Sequence, residues 1–167
     1  MSPTTAVTEL VDEAVLALVL REALATGCEF AEVFAEDRQA SVVALDDGRI
    51  EDLSSGRERG AGIRVVAGNT TGFAHTADLS EKALLAAARA ASGAARGGSG
   101  GAHEVALARH PGGRPSPAEV LPSAVAKAAK VEMLRNADAA ARAAGASVRQ
   151  VSAAYRDSRR RVLVANS

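Results

Sequence analysis

The sequence contains very few aromatic residues and a single cysteine. Aromatic residues make up 2% of the 167 residues, and tryptophan is absent. Proteins that bind single-stranded nucleic acid stack the bases on exposed aromatic side chains, so this composition argues against such a surface. Cys28 has no second cysteine with which to form a disulfide. We therefore expect Cys28 to be a small buried apolar residue rather than a reactive thiol.

The sequence also lacks a net charge and a long hydrophobic run. Its 20 basic and 20 acidic residues balance to zero, so no net field attracts nucleic acid or an anionic membrane. The apolar run at residues 14–20 is much shorter than the ~18 residues of a membrane-spanning helix. Acidic residues precede that run, where a signal peptide would have basic ones. We expect a cytoplasmic protein that binds neither nucleic acid nor a membrane.

The motifs of the common catalytic, metal and nucleotide sites are missing as well. His103 begins a pattern similar to the zinc motif H-E-x-x-H, but Leu107 occupies the position of the second ligand, and Ala108 occupies it in the H-E-x-x-x-H variant. The glycines at residues 60–62 lack the third glycine of a dinucleotide fingerprint, and no G-x-S-x-G motif occurs. We predict no catalytic residue, no metal ligand and no cofactor site in this chain.

Two amphipathic helices are predicted in the first half of the chain. Apolar residues recur at three- and four-residue spacing over residues 8–26, and Gly27 is placed to end that helix in a left-handed conformation. Asp78 and Glu81 form a capping-box pattern, which predicts a second helix over residues 81–95.

Strand patterns and two hairpin signals fill the space between these helices. Asp46-Asp47-Gly48 and Gly68-Asn69 are typical of tight turns, because glycine readily takes a positive φ. We interpret the acidic residues at the first turn as solvated. The predicted strands are residues 29–37, 40–45, 49–53, 60–67 and 70–76.

The second half of the chain predicts a short strand, a long helix and two further strands. The short strand is expected at residues 103–109, and Pro122 suits the first turn of a helix that runs to residue 144 and ends at Gly145. The strands at residues 148–156 and 161–165 are predicted to be joined by a turn at residues 157–158.

These elements predict an α+β fold in which helices flank an antiparallel sheet. We expect an N-terminal lobe over residues 1–95, a Gly/Pro-rich linker with a short strand over residues 96–122, and a long helix with a β-hairpin over residues 123–167. The chain stops directly after an apolar strand, which we interpret either as a truncation or as the edge of a larger protein, with a further C-terminal domain to follow.

Three arginines are the candidates for contact with a substrate. Arg57, Arg59 and Arg64 lie close together in the sequence, and arginine forms bidentate pairs with carboxylates. They are candidates to bind a peptide carboxylate. The alternative is an exposed strand face on which they neighbour Glu58.

Seven stretches spread over nearly the whole chain carry a resemblance to a known family. They are residues 45–51 (L-D-D-G-R-I-E), 59–66 (R-G-A-G-I-R-V-V), 71–74 (T-G-F-A), 78–80 (D-L-S), 130–135 (K-V-E-M-L-R), 139–145 and 162–167 (V-L-V-A-N-S). In this order they resemble the TldD/PmbA metallopeptidases. The stretch G-F-A at residues 72–74 is more similar to the TldD branch than to the PmbA branch.

The resemblance implies the N-terminal domain of a longer cytoplasmic peptidase that cleaves small or unfolded peptides in a closed chamber. In this family a C-terminal domain bears the zinc motif H-E-x-x-x-H, and a TldD-like subunit that holds the metal pairs with a metal-free PmbA-like subunit. The present chain would shape the chamber and the subunit interface, and its partners would be a peptide substrate and a PmbA-like subunit or a second copy. The alternatives are the PmbA-like subunit itself and a free-standing binding module.

Overall fold

The computed structural model describes residues 10–95, 105–110 and 119–167. Four strands form one sheet in the order β3-β2-β1-β4, and helices flank it. The predicted α+β fold with an antiparallel sheet is thereby confirmed. The elements are α1 (Glu13–Leu24), β1 (Phe30–Asp46), β2 (Arg49–Ala67), β3 (Thr70–Thr76), α2 (Glu81–Ala95), a 3-10 turn (Pro122–Ala124), α3 (Lys127–Ala143) and β4 (Ser152–Asn166).

The strands are longer and fewer than the sequence predicted. β1 joins the two strands expected at residues 29–37 and 40–45, and β2 joins those expected at residues 49–53 and 60–67. The turn predicted at residues 157–158 was wrong, because β4 runs through it with an unbroken alternation of side chains. The strand predicted at residues 103–109 was also wrong over its described part, since residues 105–109 have no regular structure.

Both predicted hairpin turns are confirmed, and their backbone angles explain the glycines. Asp47 and Gly48 have φ values of 46° and 80°. Positive φ at both central residues defines a type I′ turn, whose twist matches that of the flanking strands. Gly68 has a φ of 53° and begins the turn between β2 and β3, which pair in antiparallel register from Ala67 and Thr70 onward.

The helix boundaries depend on which side chains cap the free amides. Asp12 accepts a hydrogen bond from the amide of Ala14 at 2.8 Å, so α1 begins at Glu13 rather than at residue 8. Gly27 has a φ of 83°, the left-handed conformation predicted for it, but α1 ends earlier than residue 26, at Leu24. At α2, Ser80 takes the capping position predicted for Asp78, since its hydroxyl accepts from the amide three residues later.

The chain divides into two compact units, to which β1, β2 and β4 each contribute residues. Unit 1 consists of Met1–Asp37, Arg59–Pro111 and Arg161–Ser167. Unit 2 consists of Arg38–Glu58 and Gly112–Arg160.

Unit 1 contains the larger apolar core, where α1 and α2 pack on the sheet. Leu20, Ile63 and Leu84 are fully buried there. A Cβ atom added to Gly72 of β3 would lie 1.9 Å from the carbonyl oxygen of Ala91, so α2 rests directly on the strand. Cys28 is fully buried in this core, which confirms the prediction for it.

Unit 2 contains a smaller core under α3. Val43 and Leu45 of β1 pack there against Leu134 of α3. The helix predicted from Pro122 begins only at Lys127, because residues 122–124 form a separate 3-10 turn and Val125 and Ala126 have extended backbone angles. The prediction that this helix ends near residue 144 is confirmed.

Candidate functional site

Unit 2 contains a partly open cavity of about 410 Å³ between the strands and the segment that leads into α3. This volume lies within the range of small-molecule sites, roughly 300–1,000 Å³. Residues from β1, β2 and β4 line one side, and the 3-10 turn and the start of α3 line the other. The lining residues are Gln39, Ala40, Ser41, Ser55, Gly56, Arg57, Pro122, Ser123, Val125, Lys127, Lys130, Asp157 and Arg159.

Strand alternation determines which side chains enter this cavity. Successive side chains of a strand point to opposite faces, so residues two apart share a face. Ser41, Asp157 and Arg159 are half-buried, with the intervening Ser158 exposed. The continuous β4 strand therefore places Asp157 and Arg159 side by side at the cavity, an arrangement that a turn at residues 157–158 would have prevented.

A buried ion pair lies at the inner end of the cavity. The ammonium group of Lys130 donates to a carboxylate oxygen of Asp157 at 2.6 Å and to the hydroxyl of Ser41 at 2.8 Å. Ser41 in turn donates to the other carboxylate oxygen of Asp157 at 2.9 Å. The ammonium nitrogen also lies 5.5 Å from the centre of the Tyr155 ring. Only 4% of Lys130 is exposed, so its charge is balanced within the cluster.

The cluster shifts the pKa values of both acidic groups in it. Burial alone would raise the pKa of Asp157, but hydrogen bonds from Lys130, Ser41 and Tyr155 and the charge of Lys130 together hold that pKa below its ordinary value. Burial raises the pKa of the Tyr155 hydroxyl, and its hydrogen bond to Asp157 and the charge of that carboxylate raise it further. Asp157 is therefore ionised and Tyr155 neutral near pH 7.

This geometry makes the cluster an anchor rather than a nucleophilic centre. A catalytic serine must give its proton to a base, and a lysine base must accept it. Here the Ser41 hydroxyl donates a hydrogen bond to Asp157, and its oxygen accepts one from Lys130. Lys130 is therefore a donor to Ser41 and not its base. The cluster instead ties the second turn of α3 to β1 and β4.

Three further cations surround the cavity. Arg57 and Lys127 are exposed, and Arg159 is half-buried. Lys127 and Arg159 have no ion-pair partner within the part of the chain that the structure describes. Among the described lining residues Asp157 is the only carboxylate, and Lys130 already neutralises it. Lys127 and Arg159 therefore add positive charge to the cavity, and the start of α3 adds to it because Ala126 supplies no capping side chain.

The three arginines that the sequence singled out lie in different surroundings. Arg57 lines the cavity of unit 2, whereas Arg59 and Arg64 belong to unit 1. The guanidinium group of Arg64 lies 5.4 Å from the centre of the Phe30 ring and 3.4 Å from the Glu32 carboxylate. Arg59 is exposed. The pKa of Asp78 lies below its ordinary value mainly because the amide and hydroxyl of Ser80 donate hydrogen bonds to it, and the charge of Arg59 adds a smaller contribution.

Sequence reasoning missed most of the cavity's charged residues. Arg159 and Asp157 were assigned to a turn and its flank, and Lys127 to the interior of a helix. The sequence offers no signal for this strand, because residues 156–161 are all polar and residues 162–165 are all apolar. The alternation along β4 is one of burial, which only the structure shows.

The acidic turn between β1 and β2 is not simply solvated, as was expected, because it is tied to neighbouring elements of unit 2. Arg142 of α3 donates to Asp47 at 2.5 Å, and Ser152 and Gln150 donate to Asp46. The hydrogen bonds from Ser152 and then Gln150 lower the pKa of Asp46. Both carboxylates therefore serve structural contacts.

Metal ligands and membrane-spanning helices were also sought within the described ranges. No three His, Cys, Asp or Glu side chains there come close enough to hold a metal ion. His103 lies outside the described residues. None of the described helices has the length and apolar character required to cross a membrane.

Two family models match this chain, one after the other. The model of the PmbA/TldA metallopeptidase domain 1 matches residues 31–95, and that of the PmbA/TldA metallopeptidase central domain matches residues 121–167. Together they cover most of the chain in the order domain 1, central domain. No curated protein matches significantly.

Solved structures share the fold at low sequence identity. A proposed modulator of DNA gyrase from Bacteroides thetaiotaomicron is similar over 92% of the chain, with a TM-score of 0.67 and 19% identity. One from Thermotoga maritima is similar over 93%, with a TM-score of 0.66 and 14% identity. TldE from Thermococcus kodakarensis is similar over 90%, with a TM-score of 0.65 and 16% identity. The chain covers only 36%, 35% and 34% of these three proteins.

Proposed function

Because the chain belongs to the PmbA/TldA metallopeptidase family, we propose that it is the N-terminal part of a TldD-like, zinc-dependent cytoplasmic peptidase. The observation that supports this most is the match to two successive domain models of one family, on a fold that solved relatives share. The substrates would be small or unfolded peptides. The chain would help to form the substrate chamber and the interface with a PmbA-like subunit or a second copy.

The described residues do not supply a site for the zinc ion. They contain no group of three suitable ligands, and a catalytic zinc site usually needs three protein ligands and an open position. We therefore assign no step of peptide cleavage to them. Their contribution lies in holding the substrate and in assembling the subunits.

Peptidase activity of the full-length gene product tests this proposal. The purified protein is expected to cleave short unstructured peptides, to lose activity with a chelator and to regain it with zinc. The 167-residue chain alone is expected to cleave nothing. A full-length protein without zinc and without activity would indicate the PmbA-like alternative. A native gene that ends near codon 167 would indicate the free-standing binding module.

Within this proposal, the arginines remain candidates for binding a peptide carboxylate. Arg57 has support from the cavity that it lines. Arg64 already has an acidic and an aromatic neighbour, and Arg59 lies outside the cavity lining. We therefore propose Arg57 as the first of the three to test, by comparing the KM for peptides with a free and an amidated C-terminus in the Arg57→Ala protein.

A further inference from the structure

We propose that the cavity of unit 2 binds the terminal carboxylate of a short peptide through Arg57, Lys127 and Arg159. This inference rests on the proposed function for its ligand class, because that function makes peptides the substrates. It goes beyond it by naming a binding site and two cations, Lys127 and Arg159, that the sequence did not single out.

The cations come from three separate elements around one space. Arg57 lies on β2, Arg159 on β4 and Lys127 at the first residue of α3. The planar guanidinium group of arginine offers parallel N–H donors that match the two oxygens of a carboxylate. A lysine ammonium adds a compact charge from a different direction. Converging donors of this kind suit a small anion.

The charge of the cavity favours an added anion. Lys130 and Asp157 neutralise each other at its inner end. Lys127 and Arg159 have no ion-pair partner in the described part of the chain, and Asp157 is the one carboxylate among the described lining residues. A bound carboxylate would accept hydrogen bonds from cations whose mutual repulsion it would relieve.

The buried cluster joins the two backbone segments that carry Lys127 and Arg159. Lys127 precedes Lys130 by one helical turn, and Arg159 follows Asp157 on the same face of β4. The Lys130–Asp157 ion pair therefore joins the two segments that present Lys127 and Arg159. Such an arrangement reduces the conformational entropy that a ligand must remove on binding.

The rest of the lining indicates which anion fits. Ala40, Pro122 and Val125 offer apolar surface, and Ser55 and Ser123 offer hydroxyl groups beside it. These groups suit an aliphatic C-terminal residue and its peptide amide. The described lining residues include no aromatic side chain on which a nucleobase would stack. We therefore assign the site to a peptide carboxylate rather than to a nucleotide.

Calorimetry on the 167-residue chain tests the assignment without any need for catalysis. N-acetyl tetra-alanine with a free carboxylate is expected to bind, and the same peptide with a C-terminal amide is expected to bind at least about tenfold more weakly. The double variant Lys127→Ala/Arg159→Ala is expected to weaken binding of the acid peptide by a similar factor. Arg156→Ala is the matched control, since Arg156 is an exposed arginine on the opposite face of β4 and should leave binding unchanged.

Several outcomes would overturn the assignment. Equal binding of the acid and amide peptides would do so in the unmodified chain, independently of whether any variant folds. If Arg156→Ala weakened binding of the acid peptide as much as the double variant does, the effect would come from the overall charge of the chain and not from this site. Tighter binding of inorganic phosphate than of the acid peptide would assign the cavity to a phosphate-bearing ligand instead. Carboxylate binding by this chain together with an inactive full-length protein would support the cavity assignment and contradict only the proposed function.

Discussion

Units 1 and 2 are built on the same strands but fill their interiors differently. In unit 1, two helices bury an apolar core rich in alanine, and α2 lies directly on Gly72. In unit 2, the buried apolar residues that the structure describes are Val43, Leu45 and Leu134, and the Lys130 ion cluster lies beside them. Apolar burial stabilises a fold in proportion to area, whereas a buried ion pair repays little more than its own desolvation. The comparison indicates that unit 1 provides stability and that unit 2 provides a positioned polar site.

The largest effect is expected from breaking the ion cluster of unit 2. Lys130→Met leaves Asp157 ionised in a half-buried site without its partner, and such changes cost roughly 3–5 kcal/mol. Denaturant unfolding measures this loss. The double variant Lys130→Met/Asp157→Leu should recover most of it, because two apolar groups replace both charges. Lys127→Ala is the control and should stay within about 0.5 kcal/mol, since Lys127 is exposed. A Lys130→Met protein as stable as the original would contradict the proposed anchor.

A smaller loss is expected when the close packing of unit 1 is disturbed. Gly72→Ala places a methyl group where the carbonyl oxygen of Ala91 lies 1.9 Å away, so α2 must move off β3. Overpacking of this kind costs about 1–3 kcal/mol. The same unfolding experiment measures it. Gly93→Ala on α2 is the matched control, because a Cβ there meets nothing within 4 Å and should instead stabilise the helix.

The turns of this fold could be predicted from the sequence, whereas the cavity could not, for a physical reason. Gly48 and Gly68 occupy positive-φ positions that their immediate neighbours specify. The Ser41–Asp157 contact joins residues that are 116 positions apart, and no local pattern indicates that they meet. The same distance explains the error at residues 157–158. A polar pair such as Asp157-Ser158 predicts a turn as long as the residues that face it on the neighbouring strand are unknown.

Acid should weaken unit 2 through the same cluster. The pKa of Asp157 is lower in the folded protein than in the unfolded chain. Its contribution to stability is therefore complete above the unfolded pKa and is lost as the pH falls through the folded pKa. Asp157→Asn should make the denaturation midpoint less sensitive to acid. Glu51→Gln, at an exposed carboxyl on β2, serves as the control. An unchanged pH dependence in Asp157→Asn would show that the cluster contributes no acid sensitivity.

The smallest effect on stability, and a larger one on assembly, is expected at the edge strand β4. Among the strands that the structure describes, β4 has β1 as its one neighbour in the sheet, and an unpaired strand edge recruits other chains. Val162 and Val164 are 47% and 54% exposed on it. We predict that the chain self-associates through residues 148–165.

Val162→Lys/Val164→Lys should change the unfolding free energy by less than about 1 kcal/mol, because both side chains are largely exposed. It should nevertheless favour the monomer, because like charges facing each other across such an edge repel. Light scattering over a concentration series distinguishes the two proteins. If the unmodified chain stays monomeric at high concentration, the edge of β4 is not an association surface, and the free-standing binding module gains support.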